Sequence, residues 1–183
     1  MTSDEALMLE FQGGSRAAFE ELFARYRQPL SGFFGRRLND RERAEDLVQE
    51  TFLAVIRAAS RYEPRASVRT YLYGIALKLL AAERRKFLVS RPRGPSAPEP
   101  QTEGTPESVL WVRQAMERLD EPDREILMLR EYEQLSYSDI AELLRIPVNT
   151  VRSRLFRSRL ALKSYLESRT KFGQPHPGRR GTQ

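Results

Sequence analysis

Apolar positions along the chain recur at helical spacing, and no stretch shows the apolar-polar alternation of a half-buried strand. Asp4 to Phe11 predicts a short helix with Leu7, Met8 and Phe11 inward, ended by Gly13-Gly14. Ser15 then caps a helix from Arg16 to about Leu38, striped by Phe19, Leu22, Phe23, Tyr26, Leu30, Phe33 and Phe34. Pro29 predicts a kink or a division of that helix. Asn39-Asp40 is a turn and cap. Arg41 to about Ala59 is strongly amphipathic, with Ala44, Leu47, Val48, Thr51 and Val55 on one face and Asp46, Gln49, Glu50, Leu53 and Arg57 on the other. Arg61 to Arg69 predicts a loop around Pro64. A helix from about Val68 to Phe87 follows, with Val68, Leu72, Ile75 and Leu79 inward.

The pattern then stops. Leu88 to Thr105 holds four prolines and almost no large apolar residues, so it builds no core and predicts an extended linker. Thr105-Pro106 is a cap and first-turn proline for the next helix, whose stripe is Val109, Val112, Met116 and Leu119. Trp111 lies off that stripe. Glu121-Pro122 opens another helix containing Ile126, Leu127 and Leu129. The chain is thus expected to be all-α, two small helical domains on a flexible proline-rich tether. The boundaries are 4–87 and 106–170, with 88–105 as linker and 171–183 as a disordered tail.

Leu135 to Leu162 carries the most specific signal. Ser136 caps a short helix, and Asp139 completes a carboxylate capping box. Pro147 excludes the helical region for the residue before it, so Arg145-Ile146-Pro147 is a break. Asn149 is the expected cap of a second helix starting at Thr150. On that helix Val151, Leu155, Ser158 and Leu162 form the inner stripe, while Arg152, Ser153, Phe156 and Arg157 point outward. A helix-turn-helix inserts such a face into the major groove. Arginine can pair there with guanine edges, and an apolar ring can meet a thymine methyl. Arg154 and Arg159 flank the face and suit phosphates.

Composition agrees. Of 183 residues 40% are hydrophobic and 31% charged, and the net charge is +6, which favours a polyanionic partner. The excess is concentrated late: after Glu142 the only acid is Glu167, among ten lysines and arginines. The chain has no cysteine, which excludes disulfides and thiolate metal sites. No apolar run nears the roughly 20 residues of a membrane span. The N-terminus lacks a signal-peptide pattern, so no membrane insertion and a cytoplasmic location are expected.

Two further groupings hold candidate chemistry. Leu53, exposed among Asp46, Gln49 and Glu50, suits either a lone surface leucine or a protein contact with an apolar centre. Arg61, Tyr62, Arg65, Arg69, Tyr71, Lys78 and Arg85 place rings among cations. Single-stranded nucleic acid is held that way, although core tyrosines with solvated arginines would look the same. The acids Glu45, Asp46 and Glu50, or Asp120, Glu121 and Asp123, have neither a histidine partner nor a nucleophile with a base. No catalytic residue, metal or cofactor is therefore expected. A repressor or activator with a helical sensor domain would explain the helix-turn-helix but neither of the N-terminal groupings.

Three stretches in order, AEDLVQETFLAV (44–55), RTYLYGIALKLL (69–80) and YSDIAELLRIPVNTVRSRLFRSRL (137–160), resemble an extracytoplasmic-function (group IV) sigma factor of bacterial RNA polymerase. The resemblance covers nearly all of residues 4–168. It implies a sigma-2-like domain binding the β′ clamp of core RNA polymerase through Asp46, Gln49, Glu50 and Leu53. It implies −10 promoter DNA recognition by the 61–69 loop and the following helix, with Tyr71, Lys78, Arg84 and Arg85 along the non-template strand and a base flipped under the loop. It further implies a sigma-4-like domain reading the −35 element and docking on the β flap, and an anti-sigma factor as regulator. Where many relatives have tryptophan and asparagine, this chain has Tyr71 and Lys78; where glycines are usual, it has Gln134, Arg145 and Asn149.

Overall fold

The computed structural model describes residues 2–38, 40–90 and 107–172. Among these, eight α-helices follow in order: α1 (Asp4–Gln12), α2 (Arg16–Gly35), α3 (Arg41–Ala58), α4 (Val68–Ser90), α5 (Glu107–Glu117), α6 (Glu121–Glu131), α7 (Tyr137–Leu144) and α8 (Val148–Phe172). A 3-10 turn, Ala59–Arg61, extends α3 toward the loop before α4. No helix of the described residues is long and apolar enough to cross a membrane.

Local chemistry explains most helix starts. The Ser3, Ser15 and Asp40 side chains accept from the backbone N–H three residues on, at 3.1, 3.3 and 3.0 Å. Each satisfies a donor that the first helical turn leaves unpaired. Ser136 and Asp139 form the full capping box of α7. α2 runs through Pro29 as one helix, so of the expected kink or division the division does not occur. Burial of Leu30, Phe33 and Phe34 just after the proline outweighs its cost of roughly 3 kcal/mol.

The N-terminal helices pack α1 on α2, α2 on α3 and α3 on α4. Their core is aromatic: Phe33 meets Phe34 edge-on and Tyr73 at 5.4 Å, and Phe52 contacts Phe19 and Phe23. Buried Thr51 satisfies its hydroxyl on the Leu47 carbonyl at 2.7 Å. In the C-terminal part α5, α6 and α7 all pack on α8 around Ile126, Leu129, Leu135, Ile140, Val151 and Leu155. Ser158, in the α8 stripe, donates to the Arg154 carbonyl at 2.8 Å, so its burial leaves no hydroxyl unpaired.

Three expectations shift in register. The inner face of α4 is Val68, Leu72, Tyr73, Ala76 and Leu80, whereas Ile75 and Leu79 are only partly covered. The row at intervals of four fits a helix pressed on neighbours along its length better than the mixed spacing does. In α5 Ala115 is buried and Met116 and Leu119 pack partly covered on the core, whereas Val112 is 38% exposed. α8 begins at Val148, not Thr150, so Asn149 lies inside its first turn. The Pro147 carbonyl accepts from Thr150 and Val151, starting the helix one residue after the break. Helical backbone also continues to Ser90, past the expected linker start at Leu88. The rest of that linker and the expected tail fall on residues 91–106 and 173–183, outside those described.

Candidate nucleic-acid interface

α7 ends on Arg145, in the left-handed region at φ 54° and ψ 46°. That reversal turns the chain so that α8 crosses α7 as the second helix of a helix-turn-helix. Val151 and Leu155 anchor α8 inward at 0% and 1% exposure. Helical geometry then forces Arg152, Ser153, Phe156 and Arg157 outward, and all four are exposed. Phe156, at 69%, is the most exposed large hydrophobic side chain among the described residues. Arg154 and Arg159 are engaged within the domain. Arg154 lies 3.5 Å from Asp123 and is half-buried, and Arg159 contacts Glu131 at 2.6 Å. Hydrogen bonds to Glu131, and then to Tyr137, raise the Arg159 pKa further.

A second site lies where the loop after the 3-10 turn folds over α4. It is a cleft of about 780 Å³ lined by Arg61, Tyr62, Arg65, Tyr71, Gly74 and Lys78, among others. The Tyr62 and Tyr71 rings meet edge-on at 5.2 Å. Burial raises both phenol pKa values, with Glu5 adding to the effect at Tyr62 and Arg61 opposing it at Tyr71. Both therefore stay neutral hydrogen-bond donors. Among the described residues the buried Tyr62 hydroxyl finds no hydrogen-bond partner. Arg61, Arg65 and Lys78 are exposed at this cleft.

The structure thus brings together Arg61, Tyr62, Arg65, Tyr71 and Lys78, but not the whole expected group. Arg69 donates to the Glu133 carbonyl at 3.3 Å. Arg84 pairs with Glu121 at 2.6 Å, and Arg85 is exposed outside the cleft lining. The opposite wall comes from the C-terminal domain, through Glu142, Leu143, Leu144 and Arg145 of the α7 end. Nothing in the local sequence signalled that wall, because it depends on a contact between residues some 70 positions apart.

The third surface is the outer face of α3. Asp46, Gln49 and Leu53 are exposed there and Glu50 is half-buried. Leu53 is 47% exposed, and Ile56 joins it at 45%, widening the apolar centre beyond the sequence expectation. Arg43 fixes this face to the core. Its guanidinium holds Glu83 of α4 at 2.7 Å and Glu50 at 2.9 Å.

Comparison with known proteins places these surfaces in a family. Residues 22–86 match Sigma-70 region 2, and residues 110–162 match Sigma-70, region 4. The RNA polymerase sigma-H factor of Pseudomonas aeruginosa is 32% identical, over 90% of this chain and 94% of its own. The ECF RNA polymerase sigma factor SigC of Mycobacterium tuberculosis is 35% identical, over 86% of this chain and 88% of its own. Among solved structures, CnrH in complex with the cytosolic domain of CnrY shares the fold at TM-score 0.66 and 23% identity, covering 91% of this chain and 99% of that one. RpoE from Bartonella quintana, in complex with the anti-sigma factor NepR, does so at 0.64 and 22%, covering 81% and 96%. The helix-turn-helix, the ring-and-cation cleft and the α3 face therefore sit in a chain that belongs to the sigma-70 family, as an extracytoplasmic-function sigma factor acting in transcription initiation.

Proposed function

We propose that the protein programmes core RNA polymerase for specific promoters by dividing three tasks among its surfaces. The α3 face, with Asp46, Gln49, Glu50 and Leu53, binds the β′ clamp. Its apolar centre and charged rim have the anatomy of a protein contact rather than a nucleic-acid one. The cleft of Arg61, Tyr62, Arg65, Tyr71 and Lys78, with Arg69, Arg84 and Arg85 along α4, takes the −10 non-template strand. Rings offer stacking surfaces and cations meet the backbone. A base entering under the loop would satisfy the Tyr62 hydroxyl, which otherwise costs about 1–3 kcal/mol as a buried unpaired group.

The α8 face, Arg152, Ser153, Phe156 and Arg157, reads the −35 duplex in its major groove. Arg154 and Arg159 turn to phosphates by exchanging Asp123 and Glu131 for DNA. The observation that carries the assignment is Phe156, 69% exposed on a helix whose opposite side is buried at Val151, Leu155 and Ser158. An outward ring bounded by arginines gains nothing in water and gains apolar contact in a groove.

The division into residues 4–87 and 106–170, with 88–105 as tether and 171–183 as tail, follows these tasks. Docking of the second domain on the β flap belongs to the same proposal. The chain supplies recognition in the cytoplasm while the polymerase supplies the chemistry. RpoE of Bartonella quintana is solved with an anti-sigma factor, and a regulator of that kind is proposed here too.

Run-off transcription with purified core enzyme on a genome-derived fragment pool tests the proposal. Promoter-specific transcripts that depend on this chain are expected. Duplex binding by the free protein with no specific transcript would favour a helix-turn-helix repressor or activator instead.

A further inference from the structure

The loop that covers the cleft is held from behind by α1. Gln12, the last residue of that helix, donates from Nε2 to the Tyr62 carbonyl at 3.1 Å. Glu5, in its first turn, accepts from the Val68 N–H at 3.2 Å through Oε1. Tyr62 closes the 3-10 turn and Val68 opens α4, so the two bonds fall at the two ends of the loop. Glu5, Met8 and Gln12 stand at i, i+3 and i+7, which puts them on one helical face. The rise of a helix sets the two anchors about 10 Å apart along its axis.

α1 is itself firmly seated. Leu7 and Met8 are buried. Asp4 accepts from Arg25 at 2.6 Å and from the Tyr26 hydroxyl, both on α2. The Arg25 guanidinium also donates to the Thr2 carbonyl at 2.9 Å. Gly14, at φ 98°, makes the reversal that lays α1 back on α2.

The loop needs such a support. Between Tyr62 and Val68 the described backbone makes one hydrogen bond of its own, from the Arg65 N–H to the Glu63 carbonyl at 2.8 Å. A segment so weakly bonded to itself keeps one shape only through groups outside it. At its far end Ser67 caps α4 by accepting from the Thr70 N–H at 3.1 Å, and Glu5 takes the Val68 N–H that this cap leaves over. A carboxylate there also meets the positive end of the helix dipole. Burial and then the Glu5 charge raise the Tyr62 pKa, which places that carboxylate near the ring as well.

We propose that Glu5 and Gln12 are positioning residues for −10 reading. α1 is a rigid strut that sets where Tyr62 and the start of α4 stand, and hence the shape of the pocket under the loop. The inference rests on assigning the cleft to the −10 strand. α1 lies ahead of residues 22–86, the stretch that matches Sigma-70 region 2. Neither Glu5 nor Gln12 lines the cleft, so their effect passes through Tyr62 and Val68. Tyr62 makes the strictest demand. Its buried hydroxyl has no partner among the described residues, and a shift of about 1 Å would take it out of hydrogen-bond reach of a base.

Two measurements on the full chain test this, and the first reads the loop alone. The sequence has 7 tyrosines, so 3-fluorotyrosine gives few fluorine resonances, and Tyr62→Phe assigns that of Tyr62. The solvent isotope shift of this resonance reports exposure of the ring, which is 6% exposed in the natural chain. Gln12→Ala and Glu5→Ala should each increase that shift. Glu5→Gln, whose amide oxygen still accepts from Val68, should keep it small. A shift unmoved by both alanine variants would overturn the strut.

The second measurement reads the base. Core polymerase loaded with each variant is bound to a premelted promoter fragment mapped by run-off transcription, with one base of the −10 non-template strand replaced at a time. Gln12→Ala and Glu5→Ala should lose several-fold preference for the native base at one position, with Glu5→Gln close to the natural chain. Affinity for core should be unchanged. A merely stabilising role would lower the melting temperature and leave the base preference intact, and that result would overturn the positioning. If the natural chain itself shows no base preference in this strand, the assignment of the cleft falls instead, while the fluorine measurement still decides whether α1 holds the loop.

Discussion

The roles proposed for Arg157 and Phe156 are tested one side chain at a time. Arg157 is exposed on the outer face of α8 and forms no ion pair among the described residues. If it reads a base edge, Arg157→Ala should cost about 1–3 kcal/mol of discrimination between the correct −35 duplex and one altered at that position. Competition binding at fixed salt measures this. Equal weakening on every sequence would assign Arg157 to a phosphate instead. Arg145 and Gln134 are a different kind of residue-level cost. Both hold φ 54°, where an L side chain gives up roughly 1–2 kcal/mol. Arg145 nonetheless supplies a cation to the cleft wall, which a glycine would not.

At the scale of elements, α3 joins two functions through one residue. Arg43 binds Glu83 in bidentate fashion and reaches Glu50 on the outer face, so the core pair also orients the proposed polymerase contact. The hydrogen bonds from Arg43 hold the Glu83 carboxyl below its ordinary 4.5, against the opposing effect of burial. A lowered folded-state pKa stabilises the fold above the unfolded value. That stabilisation is expected at neutral pH and should fade as pH drops below 4.5 toward the folded value. Glu83→Gln should therefore be clearly less stable than the natural chain in urea at pH 7. The gap should narrow near pH 3; a gap independent of pH would show that packing, not ionisation, matters there. On the outer face, Leu53→Asp should weaken binding to core polymerase at least tenfold in a competition assay. The circular dichroism melt should be unchanged, because Leu53 is 47% exposed. Unaltered affinity would make Leu53 an ordinary surface leucine.

For the whole molecule, the two domains are both tethered and docked. Each presents a modest DNA-reading surface, and affinity for a promoter comes from holding both on one polymerase at high effective concentration. Contacts from α4 are made to the chain's own C-terminal domain. Arg84, proposed for the −10 strand, sits 2.6 Å from Glu121.

Helix positions, caps and buried stripes were legible from local chemistry. Spacing of 3.6 residues separates faces, and Ser15, Asp40 and Ser136 cap by bonds within their own turn. The outward set on α8 followed from the inward anchors Val151 and Leu155. Register errors arose where neighbours decide: Ile75 and Leu79 satisfy the period but not the packing, and Pro29 is overridden by the residues after it. Arg36 and Arg37 read as ordinary solvated charge at a helix end, and Glu133 as one more acid in a turn. Only the tertiary structure brings them together, because a buried ion pair requires residues 97 positions apart to exclude water jointly, and no local pattern records that.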